Sequence, residues 1–249
     1  MKRFFIFAGP NGSGKSSVIS SLKNSPSASP LSGRDIDFDA MTYVNADFCA
    51  RHDPEISKMP EGKERDVAAW NATNKWRDET LMLGLDCIWE TVFSHESRLA
   101  EIHKARSMGY YIVVIYVTTL SSDINVERVN IRVKNGGHGV PTEKIHSRYQ
   151  RTTSLLPEII SAADEMYLYD NSGSFPCLTF SKTAGKYAVC HEDAIGEERY
   201  KWVHSHVVLP LLNTGYAVEC LSSADMAGVF EQLPKISGQL PDIFHLQKQ

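Results

Sequence analysis

A complete phosphate-binding motif lies close to the start of the chain. Residues 9–16 are Gly-Pro-Asn-Gly-Ser-Gly-Lys-Ser, which matches the P-loop pattern G-x-x-x-x-G-K-[ST] in full. The apolar run Phe4–Phe7 predicts a buried strand before the motif, and a helical pattern follows from about Lys15 to Leu22. Because a P-loop requires a strand before it and a helix after it, we favour a nucleotide site over a glycine-rich turn without a ligand.

The chemistry of this motif predicts ATP and Mg²⁺ as cofactors. Its glycines let consecutive backbone N–H groups point at one phosphate, and the start of the following helix adds positive potential. Lys15 is expected to reach the β- and γ-phosphates, and the Ser16 hydroxyl is expected to bind Mg²⁺. The residues expected to bind the nucleotide are Gly9, Pro10, Asn11, Gly12, Ser13, Gly14, Lys15, Ser16 and Ser17.

Strand patterns alternate with helical patterns over the first two thirds of the chain, which predicts an α/β fold with a mostly parallel sheet. Further strands are predicted at Met41–Asn45, Cys87–Glu90, Tyr111–Val117 and Met166–Tyr169. Helices are predicted at Glu64–Leu83, Glu96–Met108, Ser121–Asn135 and Thr142–Ala163. We therefore expect a parallel sheet flanked by helices with a C-terminal α+β appendage, and the P-loop, the carboxylates and the basic segment described below make the expected fold P-loop kinase-like, with a helical lid.

The pattern changes after Asn171, where a hairpin around Thr183-Ala184-Gly185 and a helix over Glu197–Leu212 are predicted. We assign residues 1–173 to a P-loop kinase core with a lid over about 121–163. Residues 174–249 form an appended hairpin and helix to which the sequence gives no role.

Two carboxylates follow predicted strands. Asp47 comes just after the strand that ends at Asn45, and Glu90 ends the next one. Ligands of open α/β sheets bind beyond the carboxyl ends of the strands, so both should face the P-loop. Transfer of a phosphoryl group to a hydroxyl acceptor needs a base that takes the proton of that hydroxyl. Asp47 is our candidate for this base, although it could instead cap a helix. Glu90, if not merely solvated, would hold the acceptor or contact Mg²⁺ through water, and Thr91 could bind a phosphate or sugar.

A concentrated positive charge lies in residues 126–151, which hold six basic and two acidic side chains. This segment carries +4 within a chain of net charge −4. Two predicted helices present the basic residues, and the glycines between them permit hinge-like backbone angles. Arginines on both arms of such a lid would neutralise a transferring phosphoryl group, whereas the alternative is a solvated helical hairpin. The four arginines are Arg128, Arg132, Arg148 and Arg151.

Composition and further motifs exclude several classes of function. No guanine-recognition Asn-Lys-x-Asp motif occurs, and Thr118-Thr119 replace the Asp that would end a motor's Walker-B strand. The sequence pI of about 6.1 argues against a nucleic-acid partner. Five scattered cysteines predict neither zinc nor disulfides, which favours a reducing, cytoplasmic compartment. No apolar run approaches the length of a membrane span.

Four segments together resemble the zeta toxin family of P-loop kinases. They are the P-loop, Asn45-Ala46-Asp47, Trp89-Glu90-Thr91, and the arginine segment around Gly-Gly-His-Gly-Val-Pro, and the resemblance covers about residues 3–171. Known members phosphorylate UDP-N-acetylglucosamine or related UDP-amino sugars, and a small helical antitoxin can occupy their nucleotide site.

The resemblance implies a role for each matching residue. Lys15 and Ser16 are nucleotide residues, Asp47 is the base and Glu90 binds the acceptor. The lid arginines steady the phosphates, with Arg132 and Arg148 favoured as the catalytic pair, so that Arg128 and Arg151 are left to bind substrate. A nucleotide sugar and an antitoxin protein are the partners that it implies.

Two alternatives stay open at this point. Better-known family members often carry Glu-Gly-Thr where this chain has Glu90-Thr91-Val92. A P-loop kinase for another small hydroxyl acceptor, such as a nucleoside, an antibiotic or a dinucleotide, is therefore one alternative. The other is a nucleotide-dependent regulatory module with little turnover.

Overall fold

A single eight-stranded sheet organises the protein in the computed structural model, which describes residues 1–24 and 37–225. Its strands are β1 Arg3–Ala8, β2 Thr42–Val44, β3 Cys87–Thr91, β4 Tyr111–Thr118, β5 Glu165–Asp170, β6 Cys177–Thr183, β7 Lys186–Cys190 and β8 Val218–Leu221. Their order in the sheet is β2-β3-β1-β4-β5-β6-β7-β8, and the first five run parallel to one another. The predicted α/β fold with a mostly parallel sheet is confirmed.

The central strand β1 shows why both faces of the sheet must be covered. All residues from Phe4 to Ala8 are fully buried, and successive side chains of a strand point to opposite faces. Phe4 and Ile6 join one hydrophobic cluster, while Phe5 and Phe7 join a second cluster on the other face. A strand with apolar side chains on both faces is stable only between two layers of helices.

Ten α-helices cover the described part of the sheet and its edges. They are α1 Lys15–Asn24, α2 Ala46–His52, α3 Lys63–Met82, α4 Ser97–Ser107, α5 Ser122–Lys134, α6 Thr142–Ser154, α7 Leu156–Ala162, α8 Glu192–Ile195, α9 Glu197–Val203 and α10 Leu209–Asn213. Among the described residues, no helix combines the length and the apolar character needed to cross a membrane.

Two long helices of the sequence prediction are interrupted in the structure. The helix expected over Thr142–Ala163 breaks at Leu155, because Pro157 has no N–H for the helical ladder and starts a new helix instead. The helix expected over Glu197–Leu212 contains a π-helical segment, His204–Val208, just before Pro210.

The segment after residue 173 extends the same sheet. β6 pairs antiparallel with β5 and β7 antiparallel with β6, which forms the predicted hairpin, and β8 then pairs parallel with β7. The sequence analysis missed β8, whose four residues are too few for a clear alternating pattern. Residues 226–249 of the predicted appendage lie outside the described residues.

Candidate active site

One large cleft opens at the carboxyl ends of the parallel strands, with a volume of about 1300 Å³. The P-loop forms its floor, α2 and α3 form one wall, and the facing ends of α5 and α6 form the other. The loop that follows β5 closes the remaining side. The cleft therefore lies where open α/β sheets bind their ligands.

Backbone geometry in the P-loop depends on its glycines. Gly9, Gly12 and Gly14 all have positive φ angles, of 138°, 79° and 92°. A Cβ atom on Gly9 would lie 2.0 Å from the carbonyl oxygen of Val117, and one on Gly14 would lie 2.3 Å from Nδ2 of Asn171. The motif is thus packed against the ends of neighbouring strands, and a side chain at either position would displace it.

Lys15 is buried at the base of the cleft. Its Nζ donates hydrogen bonds to the carbonyl oxygens of Gly9 and Pro10, both at 2.9 Å. Burial lowers the pKa of Lys15 from 10.5 to about 8, although the negative charges of Glu90 and Asp47 act in the opposite direction. An ammonium group that has lost its water and gained no full counter-charge is well suited to meet an anionic ligand.

Glu90 joins the P-loop to the strand β2. The Ser16 hydroxyl donates to Oε1 of Glu90 at 2.8 Å, and the Tyr43 hydroxyl donates to Oε2. Burial and the carboxylate of Glu90 raise the pKa of Tyr43 above its usual range, so the phenol stays protonated as a donor. Tyr43 was not singled out in the sequence, because its register beside Glu90 depends on the pairing of β2 with β3.

The oxygen atoms at this point fit a magnesium ion. A hydroxyl and a carboxylate, Ser16 and Glu90, lie together beside the phosphate loop. Within residues 1–24 and 37–225 there is no group of three or more acidic, histidine or cysteine side chains arranged to hold a metal. Mg²⁺ commonly takes one or two protein oxygens and completes its shell with water and substrate phosphates, so a hydroxyl and a carboxylate are a sufficient protein contribution.

Asp47 lies in the first turn of α2 and its exposed side chain lines the cleft. The residue that caps this helix is Asn45, whose side chain accepts a hydrogen bond from the N–H of Phe48 at 2.9 Å. The alternative that Asp47 is only the cap is therefore excluded. Asp47 and Lys15 both line the cleft, and the negative charge of Asp47 acts to raise the pKa of Lys15.

The lid arginines are brought to the cleft with one exception. Arg128 and Arg132 of α5 line it together with Arg148 of α6. Arg148 donates to Oδ1 of Asn11 in the P-loop at 3.0 Å, and burial lowers its pKa. Arg151 lies almost one turn further along α6, is exposed, and is not among the residues that line the cleft.

The wall opposite the lid contains residues that the sequence analysis did not identify. Trp70 of α3 is 47% exposed and lines the cleft, with the guanidinium of Arg98 5.3 Å from its ring centre. Arg98 also donates to Oδ1 of Asn74 at 3.3 Å. On their own helices these residues look like ordinary surface positions, and no local motif marks them.

The strand β3 is followed by an unusual backbone conformation. Thr91 lines the cleft, and Phe93, two residues later, is almost fully buried with a φ of 55°. A positive φ is rare for a bulky residue and is found where the surrounding packing imposes it. The N–H of Phe93 donates to Oγ1 of Thr91 at 3.4 Å, which holds the threonine at the turn.

Comparisons with known proteins agree with this geometry. The sequence model of the family described as zeta toxin matches residues 2–174. No curated protein sequence matches the chain. A crystal structure of the AvrRxo1-ORF1:AvrRxo1-ORF2 complex with ATP has a TM-score of 0.59 at 13% identity, covering 96% of this chain and 77% of that chain. The PezAT chromosomal toxin–antitoxin system of Streptococcus pneumoniae has a TM-score of 0.53 at 11% identity, covering 74% and 76%. At these identities the two structures share the fold with this chain.

Proposed function

Because the chain belongs to the zeta toxin family, we propose that it is an ATP-dependent kinase that phosphorylates a hydroxyl group of a UDP-amino sugar such as UDP-N-acetylglucosamine. The observation that carries the proposal is the convergence of four kinds of group on one cleft. A buried lysine, a hydroxyl–carboxylate pair, an exposed aspartate and several arginines all reach the same space. This set of groups is the one that phosphoryl transfer uses.

The nucleotide half of the cleft supports binding of ATP. Backbone N–H groups of the P-loop and the N-terminus of α1 bind the phosphates, and Lys15 exchanges two carbonyl partners for phosphate oxygens. Ser16 and Glu90 would hold Mg²⁺, which neutralises charge on the phosphate oxygens when it is bound. The similar AvrRxo1 complex contains ATP, in agreement with this assignment.

Asp47 is proposed as the base. It lines the same cleft as the lysine of the P-loop, from the first turn of α2, so an acceptor hydroxyl bound in the cleft would attack the terminal phosphate while its proton passes to the carboxylate. Arg132 and Arg148 line the same cleft from the lid and would stabilise the negative charge of the transferring group. Arg128 and Thr91 are proposed to bind substrate.

The test is a phosphorylation assay read by mass spectrometry. The protein is incubated with ATP, Mg²⁺ and a panel of UDP-sugars, nucleosides and dinucleotides, and each acceptor is examined for one added phosphoryl group. Asp47→Asn is expected to lower turnover by about 10²-fold or more while ATP still binds. Asp123→Asn is the matched control, since Asp123 is also exposed in the first turn of a helix but does not line the cleft.

Each outcome of this assay decides between the candidate functions. A product only with UDP-amino sugars supports the proposal, and a product only with another acceptor class moves the assignment to that class. ATP hydrolysis that no acceptor stimulates would favour a regulatory module and overturn the kinase proposal. Equal turnover of Asp47→Asn and Asp123→Asn would remove Asp47 from the mechanism.

We further propose a cytoplasmic antitoxin protein as a partner, because the PezAT structure with the same fold is described as a toxin–antitoxin system. Such a protein would inhibit by covering the open cleft. The check is competition: an antitoxin that binds the cleft weakens ATP binding, whereas one that binds elsewhere leaves ATP affinity unchanged.

A further inference from the structure

The loop that follows β5 is a wall of the cleft, and three contacts link it to the nucleotide site. Nδ2 of Asn171 donates to the carbonyl oxygen of Ser13 in the P-loop at 2.7 Å. Arg128 of the lid donates to the carbonyl oxygens of Ser172 and Gly173, at 3.4 and 3.5 Å. The position of this loop therefore influences the P-loop and the lid together.

An ion pair from outside the cleft holds this loop. Nε of Arg199, on α9, donates to Oδ2 of Asp170 at 2.6 Å, and the Asp170 side chain is only 3% exposed. The other oxygen of Asp170 accepts from the hydroxyl of Ser172 at 2.5 Å and from its N–H at 3.2 Å. The hydroxyl of Ser172 in turn accepts from the N–H of Leu120, next to the start of the lid, at 2.7 Å.

A second contact ties the same helix to the lid. The indole N–H of Trp202 donates to the hydroxyl of Tyr149 on α6 at 3.0 Å. That hydroxyl donates to the carbonyl oxygen of Thr119 at 2.5 Å, between β4 and the lid. Burial raises the pKa of Tyr149, which keeps its proton available for this bond. Helix α9 thus contacts α6 directly, and through Tyr149 and Ser172 it is linked to residues 119–120, just before α5 begins.

We propose that α9 is a positioning element of the nucleotide site, in which Arg199 fixes the loop of residues 171–176 through Asp170 and Ser172. The inference rests on the proposed nucleotide binding. Arg199, Asp170 and Ser172 do not line the cleft, so they act through Asn171 and Arg128. The match to the zeta toxin family ends at residue 174, before α9 begins.

The charge of Arg199 matters because Asp170 is buried at the end of β5. A buried carboxylate that loses its cation must find water or other donors, and the backbone around it shifts to admit them. The loop would then hold the arrangement that binds nucleotide for only part of the time. Apparent affinity falls in proportion to the fraction of molecules that are competent to bind.

The test measures nucleotide affinity by calorimetry, with Mg²⁺ and a non-hydrolysable ATP analogue and no acceptor. Arg199→Met keeps the apolar stem and removes the charge. Ser172→Ala removes one oxygen atom and with it the hydrogen bonds of the hydroxyl with Asp170 and Leu120. Each is expected to weaken binding by about tenfold, which corresponds to a competent fraction near one tenth. Arg199→Lys keeps a cation but cannot reproduce the bond from Nη1 to the carbonyl of Ile195, and should give an intermediate value.

Arg106→Met is the matched control. Arg106 pairs with Asp164 at 2.7 Å, and Asp164 precedes the strand that Asp170 ends, so the two ion pairs flank opposite ends of β5. Loss of the Arg106 pair should lower thermal stability and leave nucleotide affinity within twofold of the wild type.

The results separate this inference from the proposed function. A wild-type protein that binds no nucleotide contradicts the proposed function itself. Wild-type affinity in Arg199→Met and Ser172→Ala overturns the positioning role, as does an equal loss in Arg106→Met. If Arg199→Met does not fold, Ser172→Ala decides alone.

Discussion

Nucleotide affinity is expected to fall as pH rises through the pKa of Lys15. In the free protein this pKa is lowered from 10.5 to about 8, chiefly because burial removes water from the ammonium group. A bound triphosphate supplies negative charge at close range and restores a pKa near the ordinary value. The bound state therefore holds a proton that the free state loses above pH 8, and binding at high pH must take up that proton.

The size of the effect follows from these two pKa values. At pH 7 about nine tenths of free protein carries a protonated Lys15, whereas at pH 9.5 only about 3% does, if the pKa is about 8. If the bound lysine keeps a pKa of about 10.5, affinity should fall roughly 30-fold between these pH values, or about 2 kcal/mol. The phosphate groups have already lost their protons below this range, near pH 6, and contribute little to the change.

The assay is calorimetric titration with a non-hydrolysable ATP analogue and saturating Mg²⁺ at half-unit steps from pH 7 to 9.5. Lys15→Met is the control, since it has similar length and nothing to titrate, and we expect weak affinity that does not vary with pH. The number of protons taken up per nucleotide should approach one near pH 9. A wild-type change below threefold, or an equal decline in Lys15→Met, would refute the assignment of Lys15 to the phosphates.

Two further predictions concern the lid and the P-loop. Arg132→Ala and Arg148→Ala should each lower turnover by up to about 10³-fold, with a smaller effect on ATP affinity. The control is Lys134→Ala, whose side chain is exposed on the same lid and does not line the cleft; it should match the wild type in steady-state kinetics. Gly14→Ala should weaken nucleotide binding by about tenfold, roughly 1.4 kcal/mol, because its Cβ meets Asn171. Gly109→Ala has a similar positive φ of 82° but no neighbour within 4 Å, so it should cost only about 1–2 kcal/mol of stability and leave binding unchanged.

Much of the fold was predictable because its signals are local. The P-loop carries its own turn chemistry in its glycines, and the strands β1 and β4 are continuous apolar runs. The alternation of strands with helices then fixed the parallel sheet, and with it the edge at which Asp47 and Glu90 appear. These features depend on neighbours within a few residues along the chain, which a single sequence displays directly.

Secondary-structure boundaries were predicted less well where a proline competes with a helical pattern. The sequence favoured one helix through Pro157 and another through Pro210, since both patterns stay periodic across the proline. In the structure, the helix predicted through Pro157 is broken into two, and the helix predicted through Pro210 contains a π-helical segment. Which solution forms depends on what the helix packs against, because tertiary contacts must satisfy the backbone groups that the proline leaves without a partner.

The sequence by itself determined the groups on which the proposed chemistry rests: a phosphate loop, two carboxylates at strand ends and a basic helical hairpin. Tertiary structure alone decided which side chains support that chemistry. Tyr43 meets Glu90 through strand pairing, and Arg199 meets Asp170 because β6 and β7 bring α9 back to the end of β5. Contacts between residues far apart along the chain leave no periodic signal in it, since many different residues could occupy either position until the fold brings the two together.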